Sequence, residues 1–503
     1  MRGLTAISIG VLSVAIFLIL LILSRNYLLS FFGFLITALC FLEGSIESGC
    51  IRLFTDGIYG QLLNPEKASM IAFIALYCGY VGTMEYGGAI KGFTRYMTER
   101  GRKTKISVQQ RAWIASVAAF FSDLGSPGIV GTLLRKEYDD AKLSRERLGL
   151  LINLTAVPVC SMIPLVGLGL FAIGIINNTV VVTGYEDTPI RMFFYAIPYY
   201  CLPQLAIITP LLLQDRHFVI GSLRYHDREA EHNGSSYITM RKKAEVVIEL
   251  AEEEGKGFTL FLSLVVMFGV LLFFLKHLQQ PLLSAELFPF MVSLGIAFIA
   301  ASLAAMLLVW LRGEKSFMRS FRLYTGMFKR TFSVTGIMTL SWADFEVAGR
   351  TQCYQALTTW LSGWLPAIVC LPLVFMAGAG MSSLTGSAWG TYAVIMPFAI
   401  LLCQYMNISV FAGIGATVSA GVYGDIFAKN SHAMHYSAES AGVYPKEFRE
   451  VQKPYMHMLG FSCVVAYGLG ALADRWYIYV LLAIICYVTI IYIKNHLETK
   501  KED

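Results

Sequence analysis

Two short stretches decide how this sequence is read: FSDLGSPGIVGT, from Phe121 to Thr132, and MSSLTGSAWGTY, from Met381 to Tyr392. Each carries Ser-x-Leu, then a tip of small residues, then Gly-Thr, and each breaks an apolar run with Gly, Ser or Pro. Such breaks matter because of what surrounds them. The chain has 503 residues, 56% of them hydrophobic and only 15% charged, whereas charged residues make up about a quarter of a soluble domain. The apolar residues gather into runs of ~18 to 25, the length a helix needs at 1.5 Å per residue to cross about 30 Å of hydrocarbon. Lipid cannot satisfy free N–H and C=O groups, so irregular backbone at that depth must be buried in protein or line a wet cavity.

Working outward from the two stretches, roughly eleven spans are expected. The first half offers Thr5 to Ser24, Tyr27 to Gly49, Ala68 to Ile90, Leu148 to Ile175 and Met192 to Leu213. The second half offers Phe258 to Leu275, Phe288 to Leu311, Thr331 to Ala348, Ile408 to Ile426, Met456 to Leu472 and Trp476 to Tyr492. Lysine and arginine near span ends are poorly translocated. The clusters Lys91 to Lys105, Arg135 to Arg147, Arg312 to Arg330 and Lys429 to Lys453 are therefore all expected inside. That assignment works only if each interrupted stretch enters and leaves by one face, which makes both re-entrant hairpins. It puts the N-terminus outside and the C-terminal run inside, and it opens the first hairpin to the cytoplasm and the second to the outside.

The expected fold is thus an all-α polytopic membrane protein with about eleven transmembrane helices, two re-entrant hairpins and two broken helices, arranged as two inverted repeats. The parts are an N-terminal helix (1–26), a first repeat (27–213) with its hairpin near 109–136, and a charged cytoplasmic linker (214–257). A connecting helix (258–287), a second repeat (288–475) with its hairpin near 362–395, and a C-terminal helix with a cytoplasmic tail (476–503) complete the chain. Within the linker, Met240 to Lys256 reads as a charged helix. Inverted repeats with discontinuous helices are the plan of secondary transporters, whose substrates and ions bind near the midplane.

Other classes fare worse. Met1 to Arg25 reads as a span and not a cleaved leader, because its apolar run is too long and no A-x-A site follows. The ten cysteines lie mostly singly in or beside apolar runs, without metal-type spacing. The net charge of +6 reflects basic loops, and there is no nucleic-acid signature. His432, His435 and Glu439 recur at helical spacing, but without an H-E-x-x-H pattern a metalloenzyme is not supported, and no nucleophile–base pair suggests a membrane enzyme.

Candidate site residues follow from polarity at depth, which is expensive and so tends to be functional. Asp123, at the first tip, reads as a Na⁺ ligand or proton carrier, with a helix cap as the competing account. Ser122, Ser126, Ser383, Thr385 and Ser387 supply tip hydroxyls for a hard cation or an anionic group, or simply pack small. Asn153 and Thr155, with Pro158 and Pro164, interrupt the span after the first hairpin. Asp425, Asn430, Ser431 and His432 lie where the span after the second one ends. His432 is a candidate proton acceptor, since imidazole is the side chain that can change charge near physiological pH. Glu43, Glu47, Glu85, Asp344 and Glu346 fit helix-end placement equally well. No cofactor is expected beyond Na⁺ or H⁺ as coupling ion, with Na⁺ at Asp123 and Asp425 as the one metal site.

The stretches TGSAWGT from Thr385 and GVYGD ending at Asp425 resemble the NhaC-type Na⁺/H⁺ antiporters. So do FFSDLGSPGIVG and, from Leu143 to Pro164, LSRERLGLLINLTAVPVCSMIP. The similarity runs from about Gly82 to Gly442. It implies the fold of the wider ion transporter superfamily, with a scaffold and a transport domain bearing two hairpins, often dimeric, which allows a homodimer here. The implied function is cation/proton antiport by alternating access in a bacterial inner (plasma) membrane, with a small ion or solute and the lipid bilayer as partners. Three departures stand out: Ser122 precedes Asp123 where the family has paired aspartates, Asn153 replaces an aspartate, and Ser431-His432-Ala433 replaces Ser-Asp-Thr. A cation site needs negative charge to offset dehydration. A carboxylate-poor site with hydroxyls and helix N-termini suits an anionic or zwitterionic solute, so a Na⁺- or H⁺-coupled organic-acid or amino-acid carrier is the alternative.

Overall fold

The computed structural model describes residues 5–99, 104–120, 125–183, 185, 187–241, 257–282, 285–313, 316–473 and 475–502. The described residues form helices and no strand. In the first half, α1 (Ala6–Ser24) and α2 (Tyr27–Glu43) precede the short α3 (Ile46–Arg52), a π-helical turn (Leu53–Tyr59) and α4 (Gly60–Leu63). Then come α5 (Pro65–Tyr86), α6 (Ala89–Glu99), α7 (Lys105–Ala118), α8 (Gly125–Asp140), α9 (Arg145–Met162), α10 (Gly167–Thr183), α11 (Pro189–Ala196) and α12 (Cys201–Leu212). After α13 (Ser222–Arg241) and α14 (Phe258–His277), the second half runs through α15 (Leu287–Leu311), α16 (Phe317–Gly326), α17 (Thr331–Thr351) and α18 (Cys353–Ser362). It continues through α19 (Ala367–Thr385), α20 (Ala388–Tyr405), α21 (Val410–Phe427), α22 (His432–Ala441) and α23 (Pro445–Ala473) to α24 (Trp476–Glu502).

Among the described residues ten helices are long and apolar enough to cross a bilayer, or eleven if α11 and α12, bent by 49° where they join, count as one. The membership differs from the sequence expectation in two ways. Helices α19 and α20 are each long enough to cross, whereas α2 is shorter and α17, which carries Asp344, Glu346 and Arg350, is not apolar enough. Burial sorts centre from rim: α21 is 89% buried and the α9–α10 stretch 83%, against 28% for α1 and 22% for α24. The central helices are therefore covered on most of their surface by other helices of the chain. Small residues make this feasible, since Gly413, Gly415, Gly421 and Gly424 let α21 lie against neighbouring backbone and rings. None of the ten cysteines is disulfide-bonded.

One local expectation shifts. The break after the first interrupted stretch falls at Ile163–Val166, around Pro164, so Asn153 and Thr155 lie on the continuous α9. Pro158 is accommodated inside α9. In the segment expected to be a charged linker, α13 is described, and residues 242–256 of the charged helix expected from Met240 to Lys256 lie outside the described residues. Helix α13 packs on the bundle: Asp227 pairs with Arg147 at the start of α9, and His226 lies 3.4 Å from Glu146.

Candidate functional site

The turn between α19 and α20 is set by one residue. Gly386 has φ 75°, a left-handed conformation that L side chains adopt only at a cost. Its N–H donates to the carbonyl of Ser382 at 2.7 Å, closing α19. A Cβ at this position would lie 2.9 Å from the backbone of Asn430 and of Ser431. The turn is therefore seated on the junction of α21 and α22. That junction is organised by one hydroxyl: Ser431 Oγ donates to the carbonyl of Asp425 and accepts the Met434 N–H at 3.0 Å, ending one helix and capping the next. Replacing Gly386 by alanine is expected to cost ~1–2 kcal/mol from the backbone conformation alone, and more from the contact with Asn430. A thermal melt of the purified variant checks this, and an unchanged melting temperature would contradict the close seating.

Asp425 reaches this turn because α21 approaches α19 without intervening side chains. A Cβ at Gly424 would sit 2.2 Å from the Ser382 carbonyl carbon, and Ser382 Oγ donates to the Gly421 carbonyl at 2.7 Å. The Asp425 side chain is buried, at 9% exposure. Its carboxylate is close enough to act electrostatically on the phenols of Tyr27 and Tyr392. Tyr27, buried on α2, shares a hydrogen bond of 2.7 Å with Thr391 Oγ1, and the Thr385 hydroxyl donates to the Met381 carbonyl at 3.0 Å. The hydroxyls of Thr385 and Thr391 thus join Asp425 on one side of the turn.

Asn153 approaches the same junction from the other half of the chain. Its Nδ2 donates to the Ile426 carbonyl at 2.8 Å and to Gln452 Oε1 at 2.7 Å, and Gln452 Nε2 donates to the same carbonyl at 3.1 Å. Ile426 directly follows Asp425, so two neutral amides from α9 and α23 hold the last turn of α21. Asn153 Oδ1 is buried and has no hydrogen-bond partner among the described residues. Two residues on, Thr155 Oγ1 meets Ser116 Oγ of α7 at 2.5 Å and donates to the Leu151 carbonyl at 2.8 Å.

The sequence candidates therefore divide. Thr385, Asp425 and Ser431 converge, with Asn153 joined to them through Ile426; Ser387 takes the N-cap position of α20 beside Gly386, with no side-chain capping bond. Ser383 points away, lining a separate cavity of about 330 Å³ with Tyr423 and His457. Asn430 and His432 are exposed at the junction, and His435 Nδ1 pairs with the Ser431 carbonyl at 2.7 Å. Ser122 and Asp123 lie outside the described residues, and Ser126 is placed by its backbone alone, on the first turn of α8. Sequence reasoning missed Gln452, Tyr27, Ser382 and Thr391. A buried Gln in the otherwise charged stretch REVQKPY and a Tyr at the start of an apolar helix give no signal until the fold brings them in.

The profile of the Na⁺/H⁺ antiporter family matches residues 159–443, which takes in the Gly386 turn, Asp425 and the α21–α22 junction. The chain belongs to the Na⁺/H⁺ antiporter family. It is a secondary transporter, as the resemblance implied, although the match begins later than Gly82. An uncharacterized protein of Haemophilus influenzae is 22% identical over 477 residues, covering 90% of this chain and 88% of that one. Among solved structures, MtrF of Neisseria gonorrhoeae, described within a class of antimetabolite efflux pumps, has a TM-score of 0.50 at 10% identity, covering 88% of this chain and 84% of that one. The YdaH transporter of Alcanivorax borkumensis, whose topology is described as unusual, gives a TM-score of 0.45 at 14% identity over 86% and 90% of the two chains.

Proposed function

We propose that this family member exchanges Na⁺ for H⁺ by alternating access, with Asp425 carrying the ion or the proton. The observation that carries the reading is the seating of the Gly386 turn on the α21–α22 junction, with a buried carboxylate in the last turn of α21. A carboxylate at that depth is costly unless it is protonated or paired with a cation, and exchange between those two states is what coupling needs. Thr385, Ser387 and Ser431 lie on the Gly386 turn and the junction beneath it, as oxygen donors of the kind a hard cation takes, and Asp123 is the second carboxylate that the sequence assigns to the role. In this reading the α7–α8 and α19–α20 pairs are hairpins of two inverted repeats, each entering and leaving by one face although α19 and α20 are individually long enough to cross, and they move with α9–α10 and α21–α22 against a scaffold, in a homodimer of a bacterial inner membrane with its C-terminus inside.

The neutral amides favour a second reading. Asn153 and Gln452 stand at the junction where a further acid would strengthen cation binding, so an organic acid or amino acid driven by Na⁺ or H⁺ is the alternative cargo. Proteoliposomes separate the two. Under the first reading, an imposed Na⁺ gradient moves protons in the absence of any organic solute. Under the second, proton or Na⁺ movement appears only when a panel of small acids and amino acids is added, and that result would displace antiport.

A further inference from the structure

A second polar site lies at the end of the bundle where α13 docks. A cavity of about 370 Å³ opens between the start of α7, the start of α9, the Gln214–Gly221 connection, α13 and the end of α24. That volume falls within the range of small-molecule sites. Its wall carries six Lys or Arg side chains, namely Lys105, Lys142, Arg147, Arg216, Arg224 and Arg228, against two carboxylates. Both carboxylates are already engaged. Asp227 takes a fork from Arg147 and the Ser144 hydroxyl at 2.6 Å, while Glu231 takes Lys105 at 2.5 Å and Arg216 at 3.5 Å. Counting Glu498, which lies 3.8 Å from Arg224 outside the wall, the balance stays positive.

We propose that this cavity binds a phosphate-bearing anion. Basic loops on the inner face are ordinary for a membrane protein, but free loop charges spread apart in water, and these converge on one concavity. Arg147, Arg224 and the backbone of Arg216 are also held there, while the side chains of Lys142, Arg216 and Arg228 reach into solvent. Arg147 donates to the Leu213 carbonyl, Arg224 Nη2 donates to the Val219 carbonyl at 3.2 Å, and Asn495 Nδ2 donates to the carbonyls of Arg216 and Val219 at 3.1 and 2.9 Å, fixing the connection that carries Arg216. Guanidinium forks fixed in advance match phosphate oxygens and lose little freedom on binding. The anion relieves the repulsion among like charges and bridges α13 to the N-terminal end of α9, the helix that bears Asn153. Two sources share this chemistry, a soluble phosphate ester and the headgroup of an anionic lipid. The assignment is independent of the role of Asp425.

Full-length protein, delipidated in a neutral detergent, is titrated with inorganic pyrophosphate while its melting temperature is followed. In parallel, native mass spectrometry counts phosphatidylglycerol and cardiolipin carried out of defined nanodiscs. Arg224→Gln with Arg228→Gln is the test variant, Lys142→Gln a milder one on an exposed side chain, and Lys446→Gln a control on another basic loop. The expected result is saturable stabilisation by pyrophosphate or selective lipid retention, weakened about tenfold or more in the double variant and unchanged in the control. A pyrophosphate response assigns the soluble source, and lipid retention without one assigns the headgroup. If neither probe separates wild type from folded Lys142→Gln and the double variant, the site does not exist.

Discussion

Proteoliposomes carrying Asp425→Asn are expected to show no Na⁺-driven proton movement above that of protein-free vesicles, while the protein inserts and melts close to wild type. The asparagine keeps the shape and hydrogen-bonding reach of the side chain and removes the charge. A neutral residue in a buried position is tolerated more easily than a carboxylate, so a structural role alone predicts equal or better stability and retained transport. A coupling role predicts folded, inactive protein. Asp425→Glu, which restores charge at a shifted position, is expected to recover measurable exchange at altered Na⁺ dependence. Full exchange by the asparagine variant would remove Asp425 from the site.

The largest expected effect on stability lies elsewhere, at the root of α9. The side chains of Arg147 and Asp227 are 8% and 17% exposed, and their fork is supported by the Ser144 hydroxyl that also caps α9. Asp227→Ala leaves the guanidinium buried without its counter-charge, a loss of about 3–5 kcal/mol. It should appear as a large fall in the melting temperature of the detergent-solubilised protein. Replacing both partners with apolar residues, Arg147→Met with Asp227→Leu, is expected to recover most of that loss, because no uncompensated charge remains. A double variant no more stable than Asp227→Ala would show that the pair acts through something other than its charge.

Much of the architecture could be read from hydropathy because a bilayer leaves few solutions: helix length gave an all-helical membrane chain with about the right number of spans, though not α2, α17, α19 and α20 in their right classes, and the Gly-rich interruption located the turn at Gly386. What escaped depended on long-range pairing. The break near Pro164 was legible from proline chemistry, but the continuity of α9 through Asn153 was not, since its amide NH2 finds acceptors at Ile426 and Gln452, 273 and 299 residues away. Asp425 and Thr385 stood out as polar groups in apolar runs. Tyr27 and Gln452 did not, because neither residue type is unusual where it occurs and only tertiary contact reveals the hydroxyl or carbonyl it serves. The docking of α13 was hidden for a similar reason, as the charged composition of 214–257 reads as solvated when its partners on α9 are unknown.

The clasp between the two halves bears on how the chain is made. Arg135 on α8 finds its acceptors, the carbonyls of Glu439 and Ser440, 304 and 305 residues downstream, and Asn153 waits nearly as long for Gln452. At roughly 5–20 residues per second of synthesis, those polar groups sit in the nascent protein for about 15–60 s before their partners leave the ribosome. Through that interval Arg135 and Asn153 need substitute partners, in water or in the insertion machinery, since lipid offers none.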